Sequence, residues 1–397
     1  MVETVVVRGA RLYDGRGLDV VDNAVLVSEG GRIMYAGPAA GARGFDALPD
    51  AVDADGRALV PGLIDAHVHL CSNGSPDFAS DATGLSLQQA RDRCAEAALR
   101  AIEAGITTVR DLGGIDLVTV EVARAQAAGG MKGPRILTAG QVLTVPGGHA
   151  HYIGREVGSV AEMRKAIQSL GEAGVTVIKV VATGGVLTPG IGAQQSSFPS
   201  EQLRAAVEEA HRLGLRVAAH AIGGEGIAAA VDAGVDSIEH GCFLSDPVIG
   251  EMIGNPTWLV ATLSAPERIV NGGSEAPAYA IEKSTEVMKA QRKSFARAVE
   301  LGARLASGTD AGTPYNFHGE LSHELKLMHE SGLGLERVLT SATRDAAQLL
   351  GLGDVGTLEA DKLADFVLLD GDPLHDVETY ARVALVAQNG RIVVDRR

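Results

Sequence analysis

Cysteine is scarce: Cys71, Cys94 and Cys242 are the whole complement of 397 residues, with no CxxC spacing among them. Three thiols cannot all pair, so neither a disulfide framework nor a thiolate zinc site is supported, and a reducing, cytoplasmic setting is expected. Aromatic residues make up only 4% of the chain. The core must therefore be built from Val, Ile, Leu and Ala, as in a parallel sheet covered by alanine-rich helices. Basic residues are in deficit, 35 Lys and Arg against 50 Asp and Glu, giving a formal net charge of −15 without a basic run. That balance argues against nucleic acid or an anionic membrane as partner. Long apolar runs are missing as well. Val5 to Val7 is too short for a signal-peptide core, and no apolar span of about 18 residues follows. The expectation is a soluble, unexported protein.

What the chain does have is a globular balance, 46% hydrophobic and 21% charged residues, in a length beyond one ordinary domain. It also has 50 glycines with no collagen-like period, a mark of many tight turns. Gly105, Gly174, Gly214, Gly234 and Gly302 each stand between a helical stretch and an apolar run of strand length. There a helix would end in a left-handed cap before the next strand. Candidate strands are Leu63 to His67, Thr107 to Asp111, Arg135 to Ala139, Thr176 to Val181, Arg216 to His220, Ser237 to His240, Trp258 to Thr262 and Arg304 to Ser307. Helical stretches include Leu87 to Glu103, Ser200 to Leu213 and Ile281 to Leu301. This order predicts an α/β fold, a (β/α)8 TIM barrel over residues 59–352.

Both ends of the chain depart from that rhythm. Val5 to Leu12, Asn23 to Ser28 and Arg32 to Ala36 alternate with Gly and Asp turns, as do Phe366 to Leu369, Val383 to Asn389 and Arg391 to Val394. Residues 1–58 and 353–397 are expected to form one small β-sandwich from the two termini.

The strongest local signal is Asp65-Ala66-His67-Val68-His69. Residues i and i+2 of a strand share a face, so both imidazoles can grip one ion, although such a pair alone is weak evidence. Further strand ends carry Lys179, His220, His240 and Asp310, and catalytic groups of this barrel come from the C-terminal ends of different strands. A lysine in the apolar run Val177-Ile178-Lys179-Val180 needs a reason to be there. Pairing with Asp111 or Glu239 is the plain alternative to a metal role.

The order HxH, Lys, His, His, Asp resembles the amidohydrolase superfamily. So do Val60-Pro61-Gly62-Leu63-Ile64-Asp65, Ile238-Glu239-His240-Gly241, Ser307-Gly308-Thr309-Asp310-Ala311-Gly312 and Ala364-Asp365-Phe366-Val367, which look like its prolidase and imidazolonepropionase-related branch, Xaa-Pro dipeptidases included. The resemblance implies two divalent metal ions, zinc by default. His67, His69 and Asp310 would hold one and His220 and His240 the other, with a carboxylated Lys179 and a hydroxide as bridges. It implies hydrolysis of an amide bond in a small dipeptide or N-acyl amino acid by that hydroxide, with Asp310 moving the proton. Hydrolysis of a cyclic amide or lactone, or deamination, is the alternative on the same metals. The expected partner is a small-molecule substrate, and a homo-oligomer is expected.

Substrate contacts are read from loops. Pro146-Gly147-Gly148-His149-Ala150-His151-Tyr152 resembles the family loop that carries a substrate-contacting histidine; His149 is the choice, with His151 and Tyr152 in reserve. The amides of Gly184 and Gly185 could bind an anion. Ser264 is expected at the cavity mouth. Where family members often carry Tyr or His, this chain has Ile222, with Arg155, Tyr315 and His318 as possible substitutes.

Overall fold

The computed structural model describes residues 3–17, 19–42, 51–273 and 275–397. Both termini enter one eight-stranded sheet. Ala58–Pro61 sits at its middle, antiparallel to Phe366–Leu369 and parallel to Thr4–Tyr13. Val20–Glu29 and Arg32–Pro38 extend one side, and Val383–Gln388 and Arg391–Asp395 the other. The two half-sets expected to form a sandwich are hydrogen-bonded into one continuous sheet, because Ala58–Pro61 joins them edge to edge. That strand is missing from the sequence reading; its four residues lack the length and alternation that mark the others.

The chain leaves this sheet at Gly62, whose amide bonds the Asp365 carbonyl, and begins the parallel strands. Leu63–Val68, Ile106–Asp111 and Arg135–Thr138 form one arc. Val177–Val181, Arg216–Ala221, Ser237–His240, Trp258–Val260 and Arg304–Leu305 form a second, together with the unexpected short strands Val142–Thr144 and Gly154–Glu156. Backbone hydrogen bonds run between the two arcs. Ala66 donates to the Ser307 carbonyl at 3.0 Å and Asp310 to that of His67 at 2.7 Å, and Thr176 donates to that of Thr138 at 2.9 Å.

Helices cover the parallel strands. Leu87–Glu103 is closed at its start by a reciprocal Ser86/Gln89 capping box and buries Ala90, Cys94, Ala97, Ala98, Ala101 and Ile102, one face at spacings of three and four. Mostly small side chains on that face let the helix lie close to the strands, which is how a core with few aromatics fills its space. Gly174 and Gly302 cap their helices at φ of 88° and 81°. The three cysteines are buried thiols, with Cys71 and Cys94 Sγ 3.3 Å apart. Among the described residues no helix is long and apolar enough to cross a membrane.

Candidate active site

At the C-terminal ends of the parallel strands lies a cavity that takes in His67, His69, His149, Lys179, His220, His240 and Asp310. Strand alternation accounts for the first pair: His67 and His69 flank Val68 at the end of Leu63–Val68 and both face inward. Asp310 Oδ1 lies 3.3 Å from His67 Nε2 and 3.2 Å from His69 Nε2. These three buried residues offer ligand atoms within 4.8 Å of one another, a group able to hold a metal ion. The rings of His67 and His240 are 5.3 Å apart and those of His220 and His240 4.6 Å.

Each imidazole has one nitrogen committed to an oxygen behind it and turns the other to the cavity, where those of His67 and His69 meet Asp310 Oδ1. His67 Nδ1 donates to Glu239 Oε2 at 2.8 Å, and His69 Nδ1 to the Gly113 carbonyl at 2.7 Å. His240 Nδ1 pairs with Thr262 Oγ1 at 2.8 Å, and His220 uses Nε2 instead, donating to the Gly184 carbonyl at 2.8 Å. Such partners fix the tautomer and aim the other lone pair, as in histidine metal ligands. Burial pushes His67, His220 and His240 well below the usual imidazole range. Burial would do the same to His69, but Asp310 reverses it and raises that pKa. Burial would raise the Asp310 pKa, yet His67 and the bond from His69 bring it down, so the carboxylate stays ionised.

Lys179 is only 3% exposed, and its Nζ has no hydrogen-bond partner. Burial lowers its pKa to about 8. The ion pair with Asp111 or Glu239 does not form, because both carboxylates are taken. Asp111 accepts from the Leu70 amide and the Thr138 hydroxyl, and Glu239 from Arg110, Ser237 and His67. Arg110 spans this second layer, donating to the Ala66 carbonyl at 2.6 Å and to Glu239 Oε1 at 2.9 Å. Sequence reasoning passed over Arg110, although it is a cation in a fully buried strand just as Lys179 is.

Four non-glycine positions around the site have left-handed backbones: Ala150 at φ 59°, His240 at 74°, Thr262 at 54° and Asp310 at 60°. Strain of about 1–3 kcal/mol each persists only where neighbours hold it. At Asp310 the holders are its own amide bond to His67 and the adjacent Thr309, anchored to Asp65 through amide and hydroxyl at 3.0 and 2.7 Å.

The loop readings divide. His149 lines the cavity, with Nδ1 2.8 Å from Thr188 Oγ1, an oxygen that also receives the Ala150 amide. With the His149 proton on the cavity-facing Nε2, Nδ1 accepts from the Thr188 hydroxyl. Burial lowers the His149 pKa to about 3, so the ring is neutral. Tyr152 also lines the cavity, but His151 is an exposed residue outside it, bonded to the Gly148 carbonyl at 3.0 Å. The Gly184 amide donates to the Gln195 carbonyl and so cannot serve an anion. Gly185 lies against the His149 ring, where a Cβ would collide with it. Ser264 turns inward to Glu324 and the Thr309 carbonyl, leaving Ala265 and Pro266 at the cavity. Ile222 lines the cavity, whereas Arg155, Tyr315 and His318 are not among its lining residues. The rest of the wall is largely apolar, including Phe78, Val142, Leu187, Ile269 and Val287, and Gln291 on the same wall escaped the sequence reading.

Parallel strands ending in inward histidines, a lysine and an aspartate define a hydrolase site, and the comparisons say which. The chain belongs to the amidohydrolase family, whose model matches residues 58–393. It is 29% identical to ochratoxinase from Aspergillus niger over 354 residues, 81% of this chain and 72% of that protein. Imidazolonepropionase from Caulobacter vibrioides is 30% identical over 409 residues, 91% of this chain and 92% of that one. The crystal structure of a Xaa-Pro dipeptidase with methionine bound in its active site superposes with a TM-score of 0.91 at 30% identity, covering 98% of this chain and 99% of that one. The chain falls in the prolidase-like branch of the superfamily.

Proposed function

We propose that the protein is a metal-dependent hydrolase of an amide bond in a small N-acyl amino acid or dipeptide with a free carboxylate. The observation that carries this reading is the common aim of the second nitrogens of His67, His69, His220 and His240, with Asp310 and an unpartnered Lys179 amine, into one cavity. On this reading residues 59–352 are a (β/α)8 barrel and residues 1–58 and 353–397 a sandwich-like unit. Burial of Val5, Val6 and Val7 on both faces of one terminal strand supports layering there.

The residues fit two divalent ions, zinc by default. His67, His69 and Asp310 would hold one and His220 and His240 the other. A buried amine with its pKa near 8 has a neutral fraction able to take up carbon dioxide, and a carboxylated Lys179 would turn that cation into an anionic ligand for the ions. When bound, the ions would supply water acidified towards a pKa of about 7. Asp310 takes the proton of the attacking water and returns it to the nitrogen of the breaking C–N bond. The protonated Nε2 of His149 donates to the carbonyl oxygen as charge develops on it, and the apolar wall excludes competing water. Gly185→Ala, by displacing His149, is expected to lower kcat/KM by about ten- to a hundredfold with bound metal unchanged. A rate equal to wild type would remove His149 from the reaction.

The methionine held by the dipeptidase relative is an apolar amino acid with a free carboxylate, which matches the apolar wall here. Screening N-acyl amino acids and dipeptides against lactones and cyclic ureides with metal-replete enzyme tests the reading. Amidation of the carboxylate should cut kcat/KM of the best substrate by about ten- to a hundredfold, the worth of a hydrogen bond to a charged group. Turnover of lactones or cyclic ureides alone would overturn the assignment.

A further inference from the structure

The long helix Ala278–Leu301 buries Ala280, Ser284, Val287, Gln291, Ser294 and Ala298 along one face. Gln291 Nε2 donates to the Ala261 carbonyl and sits 3.5 Å from that of His240. Two carbonyl acceptors at one end of the amide fix its orientation, because the NH₂ group must face them and Oε1 must face away. That oxygen is buried without a partner, and Gln291 lines the cavity. An acceptor out of water is costly when unmatched, so its partner is a donor on whatever fills the cavity.

The surroundings say what kind of donor. Gln291 stands one helical turn from Val287, which packs with Ile222 and Cys242 as a small apolar cluster. Among the described residues lining the cavity the only carboxylate is Asp310, already engaged by His67 and His69. A substrate ammonium would find no countercharge there, and burying it against a single neutral oxygen is unfavourable. An uncharged N–H or O–H suits the place.

We propose that the Gln291 side-chain oxygen reads a neutral donor outside the scissile bond, so that the site takes N-acylated substrates ahead of dipeptides with a free amino terminus. The assignment rests on the amide-hydrolase reading and narrows its substrates to acyl groups that carry a neutral donor. Three substrates sharing one leaving residue test it: N-acetyl-leucyl-methionine with a neutral donor, 4-methylpentanoyl-methionine with none, and leucyl-methionine with an ammonium. Metal-replete wild type should favour the first over the second by about five- to tenfold in kcat/KM, and over the third as well. In Gln291→Met the ratio of the first two should fall towards one. A wild-type ratio near one overturns the assignment and needs no variant to be read. So does a ratio retained in the variant, or an equal loss on both substrates, which would mark Gln291 as a prop for the His240 carbonyl. Preference for leucyl-methionine that vanishes in the variant would make the partner an ammonium and also overturn it. Failure of wild type on all three, and on other acyl amino acids, would sink the amide-hydrolase reading, whereas cleavage with a Gln291-independent ratio sinks this inference alone.

Discussion

Lys179→Ala should lose at least one of two bound metal equivalents and lower kcat/KM by more than about 10³-fold, the scale of losing one member of a unit that acts together. Lys179 Nζ has no hydrogen-bond partner among the protein atoms. Its removal therefore leaves no acceptor stranded, and the metal-free variant should melt close to metal-free wild type. Loss of activity by unfolding and loss by demetallation are thereby separated. Elemental analysis after supplementation with zinc, manganese or cobalt gives the metal count. A short carboxylate such as acetate, offered to the gap left by the side chain, should restore part of both metal and rate. Full metal content in the variant would rule out Lys179 as the bridge.

The second large effect is expected at Asp310. Asp310→Asn keeps the volume and an oxygen near His67 and His69, but it can neither take nor return a proton. A fall in kcat of roughly 10² to 10⁴ follows from the usual worth of a positioned proton-transfer group, with the fold and part of the metal retained. In wild type the group works as a carboxylate, and His67 and His69 hold its pKa below the ordinary value. Activity should then fall on the acid side as it protonates, and that limb should disappear from the residual rate of the variant. Near-native turnover in metal-replete Asp310→Asn would transfer the proton role elsewhere.

Local sequence determined the elements and the inventory of the site. The expected helix Leu87 to Glu103 matches the structure end to end, and Ser237 to His240 and Phe366 to Leu369 are strands with the same bounds. These positions are legible because apolar periodicity, a capping box and a cap glycine act over a few residues. The same alternation puts His67 and His69 on one face, and a lysine in an apolar strand announces Lys179 as out of the ordinary.

Tertiary structure alone decided which atoms of those residues are free to act. His67 presents Nε2 because Glu239, 172 positions away, holds Nδ1, while His220 presents Nδ1 because the Gly184 carbonyl holds Nε2. No periodicity encodes either choice, since both depend on oxygens brought near by strand pairing. Loops behave in the same way. His149 faces the cavity and His151, two residues on, faces solvent, because a left-handed turn at Ala150 breaks the strand rule that would align them. Gln291 reads in sequence as one more polar residue of a charged helix. Only the packing of that helix against the carbonyls of His240 and Ala261 fixes its amide and leaves its oxygen to the cavity. Short-range backbone preferences are written in neighbouring residues, whereas the partner that settles a proton, a tautomer or an exposed face lies far along the chain and is reached only when the strands have paired.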